Sequence, residues 1–433
     1  MGIRHQLFNY AWPSIIGMLI VGIQTFVDGI FVSKGVGALG LAAINLSMPL
    51  ISVMASIGIM IISGGVVIAG VAKGEGDLNR SRGYTTLTLL VLLVTCLIMS
   101  AFCALNLKRL CYFLGADDVV YPFVRQYLGI IGCGIIFYVI PNYTEAFTRF
   151  MGRPNWVFLS GAICFIVNVV LDYFFVLRFD WGVAGAASAT CIANTSAAIV
   201  LAHNVQAGKL MGTWKDVWRM AYNGSSEMLT SVSAAVTTYI FNQVLMQQVG
   251  PKGVAALTIV FYLNFIVNMS IFGLSQAVYP LMSFQKGAKD VGRIQKLLQT
   301  ALLFGGCIGI GVFLVVLLFK HSIVGLFTEG DAELNALAIT AASYITIHYL
   351  FSFVNIIATS FHTAIERPLE SVIIALCRSI VFVLIPLFTL TPLIGQLGIW
   401  LSMPIAEALT LAISIPLMSR SLNILRQAQK KCS

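Results

Sequence analysis

Two aspartates lie in stretches apolar enough to cross a membrane. Asp28 lies within FVDGIFV and Asp172 within NVVLDYFFVL. An ionisable group inside such a span costs about 2.5–3.5 kcal/mol on insertion scales, so each acid needs a partner or a task. Asn168 precedes Asp172 by four residues, so on a helix it faces the same way, one turn along. Counting a helical rise of about 1.5 Å per residue from the span ends places Asp28, Asp172 and Thr190 at a common depth, about 7–11 Å below the outer surface. Two carboxylates, an amide oxygen and a hydroxyl at one depth form a set of hard oxygens that suits Na⁺; the same acids could instead hold H⁺. The competing reading bonds Asp172 to neighbouring backbone and Asp28 to a nearby amide, with no ion.

The elements that must position these groups are membrane-spanning helices. Charged residues make up 10% of the 433 and hydrophobic ones 58%, against about 25% charged in soluble domains. Twelve apolar runs of sufficient length can be marked between residues 8 and 419. An all-α polytopic membrane protein is therefore expected. With both termini cytosolic, the inner segments hold 18 Lys and Arg residues and the outer segments seven. The net charge of +9 thus reads as a topology signal and not as a nucleic-acid footprint. The first span, near Phe8 to Phe31, is too long for a cleavable signal core. The nine cysteines show no ligand spacing and are expected to pack as small hydrophobes.

The chain also repeats itself. VGALGLAA from Val36 returns as VGPKGVAA from Val249, and KGEGDLNR from Lys73 returns as KGAKDVGR from Lys286, both 213 positions later. A tandem duplication with six spans per copy gives two parallel-repeat six-helix bundles and a cavity between them. The expected organisation is residues 1–203 as the first lobe, 204–223 as a cytosolic linker with interfacial Trp214 and Trp218 on an amphipathic surface helix, and 224–433 as the second lobe. Asp77 and Asp290 in the repeated turns are expected to cap the helices that follow. At the positions matching Asp28 and Asp172 the second copy has Phe241 and, allowing one insertion, Pro386. The fold therefore does not itself demand acids there.

TFVDGIFVSKGVGALGLAAINLSMP, TRFMGRPNWV and NVVLDYFFVLRFDWGVAGAASAT resemble the multidrug and toxic compound extrusion (MATE) family. In the second half NGSSEML, GVAALTIV and GIWLSMPIAEALT look like its bacterial MepA-type branch, so the resemblance covers nearly the whole chain. It implies a cation site in the first lobe made of Asp28 in span 1, Asn168 and Asp172 in span 5 and Thr190 in span 6. It also implies a bend in span 1 at Pro13, which a bare proline kink would equally explain. Family members with an essential acid deep in span 7 or span 10 differ from this chain, whose span 10 carries His348 and His362 instead.

Three further expectations concern single residues. Arg378 in span 11 and Glu407 in span 12 are candidate partners, read as a structural ion pair in preference to a substrate contact. Glu145 and Arg149 have the spacing of a helix pair. Met18, Phe26, Met54, Tyr138, Tyr239, Phe261 and Tyr262 could line an adaptable cavity. The resulting reading is a Na⁺- or H⁺-coupled antiporter in a bacterial cytoplasmic membrane, exporting organic, cationic or amphipathic compounds. It is expected to be a monomer among membrane lipids, with no nucleic-acid partner and no cofactor beyond the coupling ion. A lipid-linked-intermediate flippase of the same superfamily would favour several intramembrane arginines, and only Arg378 is present. No HExxH, GxSxG or Ser/His/Asp set at one depth points to an intramembrane enzyme.

Overall fold

The computed structural model describes residues 2–328 and 331–432, apart from the side chains at 38, 262, 263, 266, 326, 431 and 432. Tyr262, a candidate cavity residue, thus lies outside the described side chains. Among the described residues there is no strand. In hydrocarbon each backbone polar group must be satisfied within its own segment, which a helix does. The helices are α1 (Ile3–Gly35), α2 (Ala38–Gly74), α3 (Leu78–Phe113), α4 (Tyr121–Cys133), α5 (Ile135–Phe150), α6 (Pro154–Asp172), α7 (Gly182–Ala202), α8 (Trp214–Gln248), α9 (Pro251–Gly287), α10 (Val291–Thr328), α11 (Ala332–Ile345), α12 (Tyr349–Ala364), α13 (Pro368–Leu376), α14 (Phe382–Ile394) and α15 (Gln396–Cys432). Among the described residues nine spans pass on length and hydropathy, and α4 with α5, bent by 44°, make a tenth. With α8 and α9, of 35 and 37 residues, the twelve expected segments are all helical. Leu97, Ile98, Leu105 and Phe113 on α3 are well over half exposed, as a hydrocarbon solvent allows.

The duplication is written into the backbone. Positive φ angles recur at Gly37 and Gly250 (79° and 80°), Gly76 and Lys289 (89° and 57°), Gly152 and Glu366 (86° and 59°), and Gly182 and Gly395 (59° and 61°). The turn imposes this conformation even where the second copy has lost its glycine. Asp77 accepts from the Arg80 N–H and Asp290 from the Arg293 N–H, each at 2.9 Å, so both cap the following helix as expected. The break at Gly134 between α4 and α5 matches the tight turn Thr346–His348 between α11 and α12. The π-turns do not match. One, Tyr173–Arg178, follows α6; the other, Cys377–Val381, falls between α13 and α14, nearly three turns earlier in its copy.

Two compact units result, residues 9–228 and residues 1–8 with 229–433, called here the first and second bundles. The first is built on buried Ile51, Leu92, Leu128, Ile131, Val139 and Phe147. The second is built on Phe241, Leu245, Ile345, Leu387 and Trp400. Both divisions fall inside a helix, at Phe8/Asn9 in α1 and at Met228/Leu229 in α8. Pro13 lies in α1, which stays helical through it; lacking an N–H, it removes the helical donor to the Asn9 carbonyl. The next hydroxyl, Ser14, donates to the Tyr10 carbonyl at 2.8 Å.

The joint between the copies departs from the surface helix expected there. Residues 203–213 are non-helical, and Trp214 opens α8 itself. Thr213 and Asp216 set that start: the Asp216 carboxylate accepts from the Thr213 N–H and hydroxyl at 2.8 and 2.9 Å, and from the Tyr84 hydroxyl of α3 at 3.0 Å. The linker is tied to α3, since the Thr86 hydroxyl donates to the Gly208 carbonyl and accepts from its N–H. One turn further, α8 crosses α2 at backbone contact. A Cβ on Gly64 would stand 1.9 Å from the Met220 carbonyl oxygen, and one on Gly224 would stand 1.9 Å from that of Met60.

Gly224→Ala is therefore expected to cost about 1–3 kcal/mol through overpacking. Thermal unfolding of purified protein should show a lower midpoint, and an unchanged midpoint would refute the close crossing. Asp216→Ala should loosen the linker by about 1 kcal/mol, read as faster amide exchange confined to residues 203–216; unaltered exchange there would refute the clasp.

Candidate cation site

The first bundle brings three of the four expected site residues into direct proximity. α7 is rich in small residues, and buried Ala193 and Ala197 pack with Cys164 of α6, which lets the two backbones approach closely. Cys164 sets the register: its Sγ lies 3.4 Å from Asn194 Oδ1 on α7 and 3.7 Å from Gln24 Oε1 on α1. One turn on from Gln24 is Asp28, and one turn on from Cys164 is Asn168. The Asp28 carboxyl sits against the side chains of both Asn168 and Asp172. Asn168 and Asp172 are fully buried, and Asp172 is the last residue of α6 before the π-turn. An inserted residue of that kind rotates the helix beyond it, a device common at functional sites.

These polar atoms are close together and yet unsatisfied. Asp28 Oδ1, both Asn168 side-chain atoms and both Asp172 oxygens are buried with no hydrogen bond of acceptable geometry. Among the described residues neither acid takes part in an ion pair, whereas Glu145 reaches Arg149 at 2.8 Å as the spacing implied. Two adjoining carboxylates in a low-dielectric site cannot both stay ionised without a positive charge between them. Neighbouring backbone satisfies neither Asp172 oxygen, which removes the bland reading of that residue.

Thr190 occupies the same level less directly. α7 runs antiparallel to α6, so one turn before Asn194 falls beside one turn after Cys164, which is Asn168. The Thr190 hydroxyl gives its proton to the Ala186 carbonyl at 3.0 Å, leaving its lone pairs for a ligand. No hydrogen bond joins it to the acids among the described residues. Sequence reasoning missed Gln24 and Tyr127. Tyr127 is 5% exposed and within electrostatic reach of both acids, while Tyr138 is within reach of Asp28. Only the four-residue spacing of Gln24 and Asp28 could have signalled the first.

In the second bundle Arg378 and Glu407 do pair. Arg378 Nε and Nη2 donate to Glu407 Oε1 at 3.2 and 2.8 Å, and Asn355 Nδ2 donates to Glu407 Oε2 at 2.6 Å. Ser414 donates to Asn355 Oδ1 at 2.7 Å. Phe241 is fully buried in apolar packing, so the second copy builds no counterpart of the acid pair.

The MatE family model matches residues 13–174 and 226–389, one block in each half. The multidrug export protein MepA of Staphylococcus aureus (strain bovine RF122 / ET3-1) is 23% identical over 423 residues, covering 93% of this chain and 90% of that protein. A crystal structure of MATE in complex with MaL6 superposes with a TM-score of 0.93 at 18% identity, covering 99% of this chain and 98% of that one. An outward-facing multidrug resistance MATE family transporter of the MOP superfamily gives 0.92 at 19% identity, over 99% and 97%. Two matched blocks, one per repeat and together most of the length, place this chain in the MatE family.

Proposed function

We propose that the chain is an antiporter that exports organic, cationic or amphipathic compounds by alternating access, coupled to entry of Na⁺ or H⁺ at Asp28, Asn168, Asp172 and Thr190. One observation carries the coupling site: two adjoining acids with no countercharge, in one copy of a duplicated fold and absent from the other. The resemblance to multidrug export proteins supports the cargo class.

The physical sequence is short. A cation or proton entering between Asp28 and Asp172 cancels their repulsion and draws α1 against α6; its departure restores the repulsion and loosens that contact. Asn168 supplies an amide oxygen and Thr190 a hydroxyl oxygen to a metal ion, whereas a proton needs only the two acids. One charge moving inward yields about 2.3 kcal/mol per 100 mV, enough for about a 50-fold gradient of a neutral cargo.

Asp172→Asn should reduce dye efflux from cells to the level of cells lacking the protein while its membrane content stays normal. Efflux at the parental rate would sink the coupling role. Thr190→Ala removes one ligand oxygen worth about 1 kcal/mol and, if Na⁺ is the ion, should raise its half-saturating concentration about fivefold at an unchanged maximum rate. Proteoliposomes given a Na⁺ gradient alone or a proton gradient alone identify the ion, and transport indifferent to both would refute the coupling.

A further inference from the structure

We propose that Arg378 is the seat for an oxyanion group, a carboxylate, sulfonate or phosphate, carried by an amphipathic ligand, with Glu407 and Asn355 as the residues that position it. The proposal rests on the export reading for its cargo, and it deepens that reading with a preference for molecules that carry an acceptor group beside their apolar body.

A guanidinium has five N–H groups arranged on distinct edges. Glu407 Oε1 takes two of them, from Nε and from Nη2. The remaining three, one on Nη2 and two on Nη1, meet no partner among the described residues. Nη1 is also absent from the buried atoms that lack partners, so it reaches open space. Exposure is ordered accordingly: the Arg378 side chain is 16% exposed and that of Glu407 8%. The carboxylate is the less exposed partner, with its other oxygen held by Asn355. A ligand therefore meets a fork of donors and not an acid, and a planar fork of N–H groups is the partner that carboxylate and phosphate geometry selects.

The surroundings hold that fork still. Arg378 lies in the π-turn Cys377–Val381, whose Ser379 carbonyl accepts from the Thr237 hydroxyl of α8 at 2.5 Å. Glu407 stands on α15 and Asn355 on α12, the latter fixed by Ser414. The other titratable neighbour is His348, buried, with Nδ1 donating to the Ile345 carbonyl at 2.6 Å; it feels the charges of both Glu407 and Arg378. Three unpartnered donors of an ionised group inside a membrane span must be met by water or by a ligand acceptor. The duplication separates this seat from the cation site. Prolines 154 and 368 open matching helices, so Arg378 corresponds to Cys164, and Glu407, 213 positions on, corresponds to Asn194. The neutral Cys164 to Asn194 contact of the first bundle has become a charged pair in the second.

The test uses two fluorescent probes that differ in one group: a zwitterionic rhodamine with a free benzoate, and its methyl ester, a simple cation. Binding to the purified full-length protein in detergent is read by anisotropy. Wild type should hold the acid more tightly than the ester. Arg378→Met should weaken the acid about tenfold, as expected for a lost charge-assisted hydrogen bond, and change the ester less than twofold. Glu407→Gln keeps the size and planarity of the side chain and one accepting oxygen for Arg378, gives up the bond accepted from Asn355, and frees the guanidinium charge, so it should tighten the acid severalfold and leave the ester unchanged. If Arg378→Met does not fold, Glu407→Gln decides alone. Equal loss for both probes, or no tightening in Glu407→Gln, overturns the seat. Displacement of the acid but not the ester by short-chain phosphatidylglycerol would assign the same seat to a lipid phosphate as well. Failure of both probes to bind wild type would remove the export reading together with this one, whereas the Asp172→Asn result bears on export alone.

Discussion

A carboxylate withdrawn from water is tolerated only next to a positive charge or in its protonated form, and the two bundles meet that constraint in opposite ways. In the first, Asp28 and Asp172 are pressed together with no ion-pair partner among the described residues. In the second, Glu407 is neutralised by Arg378 and fully hydrogen-bonded. Much of the surrounding architecture serves these two solutions. The alanine-rich face of α7 lets α6 close up, the π-turn follows Asp172 directly, and the other π-turn carries Arg378 to α15.

Duplication supplied the frame and left the chemistry free to diverge. Turns with positive φ, helix caps and the mid-span breaks recur at matching positions, because they are fixed by backbone geometry. The π-turns do not recur. Each sits where its own copy places a charged group, Asp172 just before one and Arg378 within the other.

Much of this was legible in the sequence because a charge inside an apolar run is conspicuous. Asp28, Asn168 and Asp172 stood out through their cost and their spacing, and Arg378 and Glu407 through being the odd charges left over. Tyr127 and Gln24 were not legible, since a tyrosine or glutamine in a span carries no comparable penalty and hydropathy treats it as filler. The break at Gly134 and both π-turns lack the proline that would have marked them. The linker misled for another reason. Its tryptophans and cations suit a surface helix, but Thr213 and Asp216 start a helix that continues without interruption into the span. An apolar run marks that span and says nothing about which bundle packs its first turns.

That last feature bears on the origin of the fold. The opening turns of α8 belong to the bundle of the preceding copy, and the opening turns of α1 group with the bundle of the following copy. Each copy thus lends its leading segment to the other, the geometry of a domain-swapped dimer whose protomers have been fused into one polypeptide.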